Sequence, residues 1–130
     1  RGLWKPSTPC WRTNELVHVV DLWSTIVAAG GGDPASATSR SLLPILADVP
    51  HDPVRDFALC GTHWGTSQGD RCAISARGFK LRQLDLDGDR RADVEELYDL
   101  GTDPGEKRDV LAALPHVASA MRAWLEAETP

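Results

Sequence analysis

Four short apolar runs, each separated from the next by turn-forming residues, constrain this chain more than any other feature. They are Phe57-Ala58-Leu59-Cys60, Cys72-Ala73-Ile74-Ser75, Phe79-Lys80-Leu81-Arg82-Gln83-Leu84 and Glu95-Glu96-Leu97-Tyr98-Asp99-Leu100. Runs this short, punctuated by Gly, Asp and Ser, predict an antiparallel meander. Ala76-Arg77-Gly78 reads as the tight hairpin, with Gly78 supplying positive φ. A sheet with one apolar face needs a cover. Pro115 opens a segment to about Glu128 in which Val117, Ala120, Met121, Trp124 and Leu125 recur at helical spacing, so a final helix is expected to pack on one side of the sheet. Met121 and Trp124 read as core residues of that helix.

The residues before the meander have a different character. Glu15 to Val20 is rich in β-branched residues and reads as a short strand, and Asp21 as the N-cap of a helix from Leu22 to Ala29. Leu22, Trp23, Ile26 and Val27 give that helix one apolar face, expected to be buried. Gly30-Gly31-Gly32 ends it, and follows a helix where a phosphate cradle would precede one. Ser41-Leu42-Leu43-Pro44-Ile45-Leu46 reads as a short apolar helical turn, and Asp48 to Asp52, flanked by Pro53, as a linker. The fold class is therefore α+β, with residues 1–50 as one part and 51–130 as a second.

A chain of 130 residues buries enough surface to fold without disulfides or metals. Its net charge of -5, with no face that concentrates Lys and Arg, argues against nucleic acid as a partner. The longest apolar run, Leu16 to Ala29, is interrupted by His18 and Asp21 and falls short of the ~20 residues a membrane helix requires, so no membrane span is expected. The chain opens on Arg1-Gly2-Leu3-Trp4 without Met or a leader, which is expected of a processed product or a piece of a longer protein.

The densest chemistry lies in the stretch from Asp85 to Glu96. Asp85, Asp87, Asp89 and Asp93 occupy loop positions one, three, five and nine, with Glu96 at twelve, the oxygen-ligand spacing that wraps calcium. Position six, where Gly makes the sharp turn, is Arg90, followed by Arg91. Two readings stay open: weak calcium binding, or a hairpin loop whose Asp and Gly serve turn chemistry and whose arginines neutralise their neighbours.

Three cysteines, Cys10, Cys60 and Cys72, allow at most one bridge. Cys60 and Cys72 flank a Gly-rich stretch and can face each other across a hairpin, either pairing in an oxidising compartment or remaining free thiols. A zinc site of Cys60, His63 and Cys72 lacks a second close pair. Gly65-Thr66-Ser67-Gln68-Gly69 has the letters of a nucleophile elbow, but no apolar strand leads into it and no helix follows. His18, His51, His63 and His116 are scattered, and no catalytic residue is assigned; His63-Trp64, in a Gly-rich loop, has the setting of a binding contact.

Taken in order, four segments resemble the C-terminal part of the sulfatases, members of the alkaline-phosphatase-like superfamily. Glu15-Leu16-Val17 through Asp21-Leu22-Trp23-Ser24-Thr25-Ile26 is similar to the family's Glu-Leu-Val…Asp-Leu-aromatic-Pro-Thr-Leu, with Ser24 in place of Pro. Ser41 to Leu46 resembles its Ser-Leu-Leu-Pro-Leu-Leu, and Ala76-Arg77-Gly78-Phe79-Lys80-Leu81 its Arg-x-Gly-x-aromatic-Lys-Leu. Glu96-Leu97-Tyr98-Asp99-Leu100-Gly101-Thr102-Asp103-Pro104-Gly105-Glu106, the most specific, resembles Glu-Leu-Tyr-Asp-Leu-x-x-Asp-Pro-x-Glu.

The resemblance implies the end of an α/β sulfatase domain followed by a four-stranded antiparallel subdomain packed against a C-terminal helix. It implies a parent enzyme that hydrolyses sulfate esters with formylglycine and calcium, and an extracytoplasmic location, whether periplasmic, secreted or lysosomal. Those catalytic groups belong to the family's N-terminal part, and the maturation pattern Cys/Ser-x-Pro/Ala-x-Arg is not matched at Cys10, Cys60 or Cys72. The chain is thus expected to support a catalytic domain of the same polypeptide, with His63, Trp64, Arg90 and Arg91 as candidates for the rim of the substrate mouth. A free-standing calcium-binding or interaction module is the alternative. A hydrolase using the Gly65 to Gly69 segment is a third reading.

Overall fold

The structure, a computed structural model, describes residues 13–34, 38–62 and 69–128. It divides into two compact units, Arg1–Asp56 and Phe57–Pro130. Residues 51–56 fall in the first unit, where the Val54 amide donates to Glu15 Oε2 (3.4 Å) and His51 Nε2 lies 3.5 Å from Glu15 Oε1.

The first unit holds helix α1 (Asp21–Ala29) and the single turn α2 (Leu43–Leu46). The strand expected over residues 15–20 does not form; the segment is irregular and ends in a turn. β-Branched residues favour a strand only where a partner edge exists, and the described part of this unit contains no other strand. Asp21 is not the N-cap either. It lies inside the first helical turn, after Val20, and its carboxylate reaches back to accept the His18 amide at 2.7 Å. The glycine stop is as expected. Gly31 takes φ +81°, and the amides of Gly31 and Gly32 close onto the carbonyls of Ala28 (3.0 Å) and Val27 (3.0 Å), the five-to-two and six-to-one bonds, respectively, of a Schellman cap.

Helix α1 is inside out. Asp21 and Ser24 are fully buried and Thr25 is nearly so, whereas Leu22, Trp23 (65% exposed) and Ile26 (68% exposed) face outward. The sequence pattern predicts the opposite, and the cause lies in the polar stripe at Asp21, Ser24 and Thr25. The Asp21 carboxylate accepts the Arg40 amide (2.8 Å) and pairs with the Arg55 guanidinium. The Thr25 hydroxyl donates to the Asp21 carbonyl (2.6 Å) and accepts the Leu42 amide (2.9 Å). The Ser24 and Ser39 hydroxyls lie 2.6 Å apart, and Ser39 donates to the Val20 carbonyl (2.7 Å). These bonds tie the chain around 38–42 to the helix and turn the apolar stripe away. Asp21, Ser24 and Thr25 are tolerated inside because each has partners, whereas the Nε of Arg55 is buried without one.

The second unit is the expected meander: β1 (Phe57–Thr62), β2 (Gly69–Ser75), β3 (Phe79–Asp85) and β4 (Val94–Asp99), antiparallel in the order β1-β2-β3-β4. The β2–β3 turn places Gly78 at φ +85°. Leu59, Ala73, Leu81 and Leu97 stand opposite one another across the four strands and line one face. Helix α3 (Pro115–Glu128) covers that face through Ala118, Met121 and Leu125, all essentially buried. Ala118 takes the place expected for Ala120, which is exposed. Each buried leucine contributes about 1.5–3 kcal/mol. Phe57 stacks on Trp124, with ring centroids 5.0 Å apart and planes at 24°.

Candidate functional site

The connections β1–β2 and β3–β4 leave from one end of the sheet, where Gly69 stands opposite Asp85 and Leu84 opposite Val94. The β1–β2 connection carries His63 and Trp64 and the Gly65 to Gly69 pattern; residues 63–68 lie outside the described residues, as does Cys10. The β3–β4 connection is the acidic loop.

Asp85 is the organiser of that loop. Fully buried at the end of β3, it accepts the Gly88 amide at 2.6 Å on one oxygen and the Arg90 amide at 3.0 Å on the other. Asp87 Oδ1 accepts the Asp89 amide (3.1 Å), Asp89 Oδ1 the Arg91 amide (2.8 Å), and Asp93 Oδ2 the Leu86 amide (2.6 Å). Aspartate folding back onto the amide two or three residues ahead is turn chemistry. The loop thus brings Asp85, Asp87 and Asp89 together, each offering an oxygen within 4.8 Å of the others. Glu96 is elsewhere. It sits on β4 and pairs with Arg82 Nη1 at 3.3 Å, on the sheet face opposite α3. Arg90 adopts φ +67°, so the chain does turn where a calcium loop uses Gly, but with a side chain present. Arg91 is solvent-exposed, 3.8 Å from Asp89 Oδ2.

Below the loop, a polar ladder crosses the covered face. Arg71 Nε donates to Gln83 Oε1 (2.8 Å), Gln83 Nε2 to Glu95 Oε1 (2.7 Å), and Arg122 of α3 donates Nε to the same Glu95 oxygen (3.1 Å) and pairs with the second. Burial alone would raise the Glu95 pKa, but the bonds from Arg122 and Gln83 outweigh it and hold the carboxyl below its ordinary value. These residues escape a motif search because nothing in their spacing marks them. Their strand register does.

The Glu96 to Glu106 motif is a set of turn instructions. Leu97 is core, and its amide donates to Asp109 Oδ1 (2.9 Å). Asp99 Oδ1 accepts the Gly101 amide (3.0 Å), and Asp103 Oδ2 the amides of Lys107 (2.7 Å) and Arg108 (2.8 Å). Glu106 takes both its oxygens to Lys80 Nζ, at 2.9 and 2.7 Å. In the first unit a cleft of about 240 Å³ opens among Arg40, Pro44, His51 and Val54, and it gathers none of the candidate site residues. No assembly of nucleophile, base and oxyanion donors occurs among the described residues, and no helix is long and apolar enough to cross a membrane.

No protein-family profile and no curated protein sequence matches the chain. Solved structures do. A Bacteroides thetaiotaomicron protein assigned to the sulfatases matches 82% of this chain at a TM-score of 0.68 and 25% identity, and a 2-O GAG sulfatase matches with the same values. A sulfatase solved in complex with its substrate D-glucosamine-2-N,6-O-disulfate matches over the same share, at a TM-score of 0.65 and 22% identity. The chain spans 23% of the length of the first two and 22% of the third. The chain is thus similar in fold to a C-terminal region of sulfatases.

Proposed function

We propose that this chain is the non-catalytic C-terminal region of a sulfuric ester hydrolase and acts by docking on, and bracing, the catalytic domain of the same polypeptide. The observation that carries the reading is the inverted helix α1. Leu22, Trp23 and Ile26 form an apolar surface that nothing among the described residues of the first unit covers, and a surface of that kind marks an interface. The similarity to sulfatases, over only a fraction of their length, supplies the class of protein that would cover it. Formylglycine and the catalytic calcium would be held by that other part. The loops at the open end of the sheet, with His63, Trp64, Arg90 and Arg91, would reach the rim of the substrate mouth, and the location would be extracytoplasmic.

The test is an assay of the 130-residue chain and of the full polypeptide carrying it, with an aryl sulfate and an aryl ester. The proposal predicts turnover of the sulfate by the full polypeptide alone. Sulfate or ester turnover by the 130-residue chain would overturn it, and ester turnover would favour the Gly65 to Gly69 segment instead.

The juxtaposed oxygens of Asp85, Asp87 and Asp89 favour a second reading, a loop that holds calcium. The same carboxylates already satisfy the loop's own amides, so the turn stands without an ion. A rise in melting temperature at millimolar calcium, abolished by Asp87→Asn, would support the metal; no rise would remove it.

A further inference from the structure

The second unit holds a pair of thiols that the sulfatase reading does not use. Cys60 on β1 and Cys72 on β2 are direct cross-strand partners, so both side chains leave the same face of the sheet, the face opposite α3. Opposed residues in an antiparallel ladder have Cα atoms about 4.5–5.5 Å apart, inside the roughly 4.4–6.8 Å span a disulfide bridges. Both cysteines are free thiols; Cys60 is exposed and Cys72 is buried. We propose that Cys60 and Cys72 are an oxidisable dithiol, which closes to an intramolecular disulfide by exchange with small-molecule disulfides.

The division of labour follows from exposure. Burial first, and then the contact with Cys60, push the Cys72 thiol up to about 12, so Cys72 does not react first. The exposed Cys60, as thiolate after losing its proton to solvent, attacks the small disulfide R–S–S–R. One R–S⁻ departs and a Cys60–S–S–R mixed disulfide remains. The departing thiolate takes the proton of Cys72, whose anion is favoured by the charge of Lys80 nearby. Cys72 then attacks the Cys60 sulfur and expels the second R–S⁻, which protonates from solvent. Two protein thiols are oxidised to one disulfide, and one small disulfide is reduced to two thiols. The product fastens the edge strand β1 to β2 at the end of the hairpin nearest the 63–68 connection.

The proposal is independent of the catalytic reading and is tested on the whole chain. A Cys10→Ser variant, which keeps only Cys60 and Cys72, is incubated under native conditions with glutathione disulfide and analysed by intact mass and alkylation. The expected result is a loss of about 2 Da with both thiols protected from alkylation. The melting temperature should also rise by at least about 5 °C, reversibly with dithiothreitol. A further Cys60→Ser change, at an exposed and conservative position, should abolish the protection. A stable glutathione adduct on Cys60 with Cys72 still alkylated would overturn the proposal. So would unchanged mass, or a disulfide that lowers the melting temperature.

Discussion

The two units of this chain solve the burial problem in opposite ways. In the second, apolar side chains from four strands and one helix converge on Leu81, Leu97, Met121 and Leu125, and the polar groups that share this face, Arg71, Gln83, Glu95 and Arg122, bond to one another. In the first, Ile45 and Val54 are the only buried apolar residues among those described, and the interior is organised around Asp21, Ser24 and Thr25. The second unit is complete by the ordinary criterion of a covered sheet. The first keeps its specificity inside and leaves its hydrophobic driving force on the surface. Polar networks fix geometry well but contribute little net stability once desolvation is counted. On the proposed reading, a docking partner would let the first unit gain what its outward apolar residues can give.

The sharpest way to break this comparison is Asp21→Ala. It leaves the Arg55 guanidinium without its carboxylate and the amides of His18 and Arg40 without an acceptor, and should cost about 3–5 kcal/mol. Hydrogen exchange should show helix α1 losing protection while β2 and β3 keep theirs; equal losses in both units would mean that they are not separate. Leu97→Ala tests the other side. Removing a fully buried leucine should cost about 2–5 kcal/mol in denaturant titration, with the loss of protection confined to the sheet and α3.

Acid sharpens the contrast with a smaller effect. At Asp21, burial favours the neutral form, but the bonds from the His18 and Arg40 amides and from Arg55 prevail and hold the carboxyl below its ordinary value of 3.8; Glu95 likewise lies below 4.5. A depressed folded pKa means that the unfolded chain binds its proton first. The stabilisation is complete above the ordinary values and is lost as pH falls through the folded ones. Exchange followed from pH 5 to pH 2 should show α1 opening before β3, since among the described residues the first unit buries only Ile45 and Val54 as apolar side chains. The smallest effect is expected at Arg90→Gly, which relieves a side chain at φ +67° and should stabilise the second unit by about 1 kcal/mol in thermal melts.

Legibility in the sequence followed the same division. The four strands, the Gly78 hairpin and the Pro115 helix were readable because period-two and helical patterns point at a core that lies within the same stretch of chain. The helix at 21–29 was readable as a helix, but its orientation was not. Apolar periodicity says which face seeks burial, not whether this chain has anything to bury it against. The polar stripe at Asp21, Ser24 and Thr25 is as regular as the apolar one, yet its partners, Ser39, Arg40 and Arg55, are distant in sequence and carry no shared motif. In the acidic loop, of the five carboxylates that the spacing marks, Asp85, Asp87 and Asp89 come together and Glu96 does not. The spacing did not reveal that Asp85 is spent on the Gly88 and Arg90 amides, or that Glu96 faces Arg82.

Hydroxyl-radical footprinting of Trp23 and Ile26, in the 130-residue chain and in the full polypeptide, tests the central claim most directly. Docking of helix α1 on a catalytic domain predicts that both residues are heavily modified in the 130-residue chain, where they are exposed, and protected in the full polypeptide. Equal modification in the two would contradict it, and would leave the outward apolar face of α1 without a purpose.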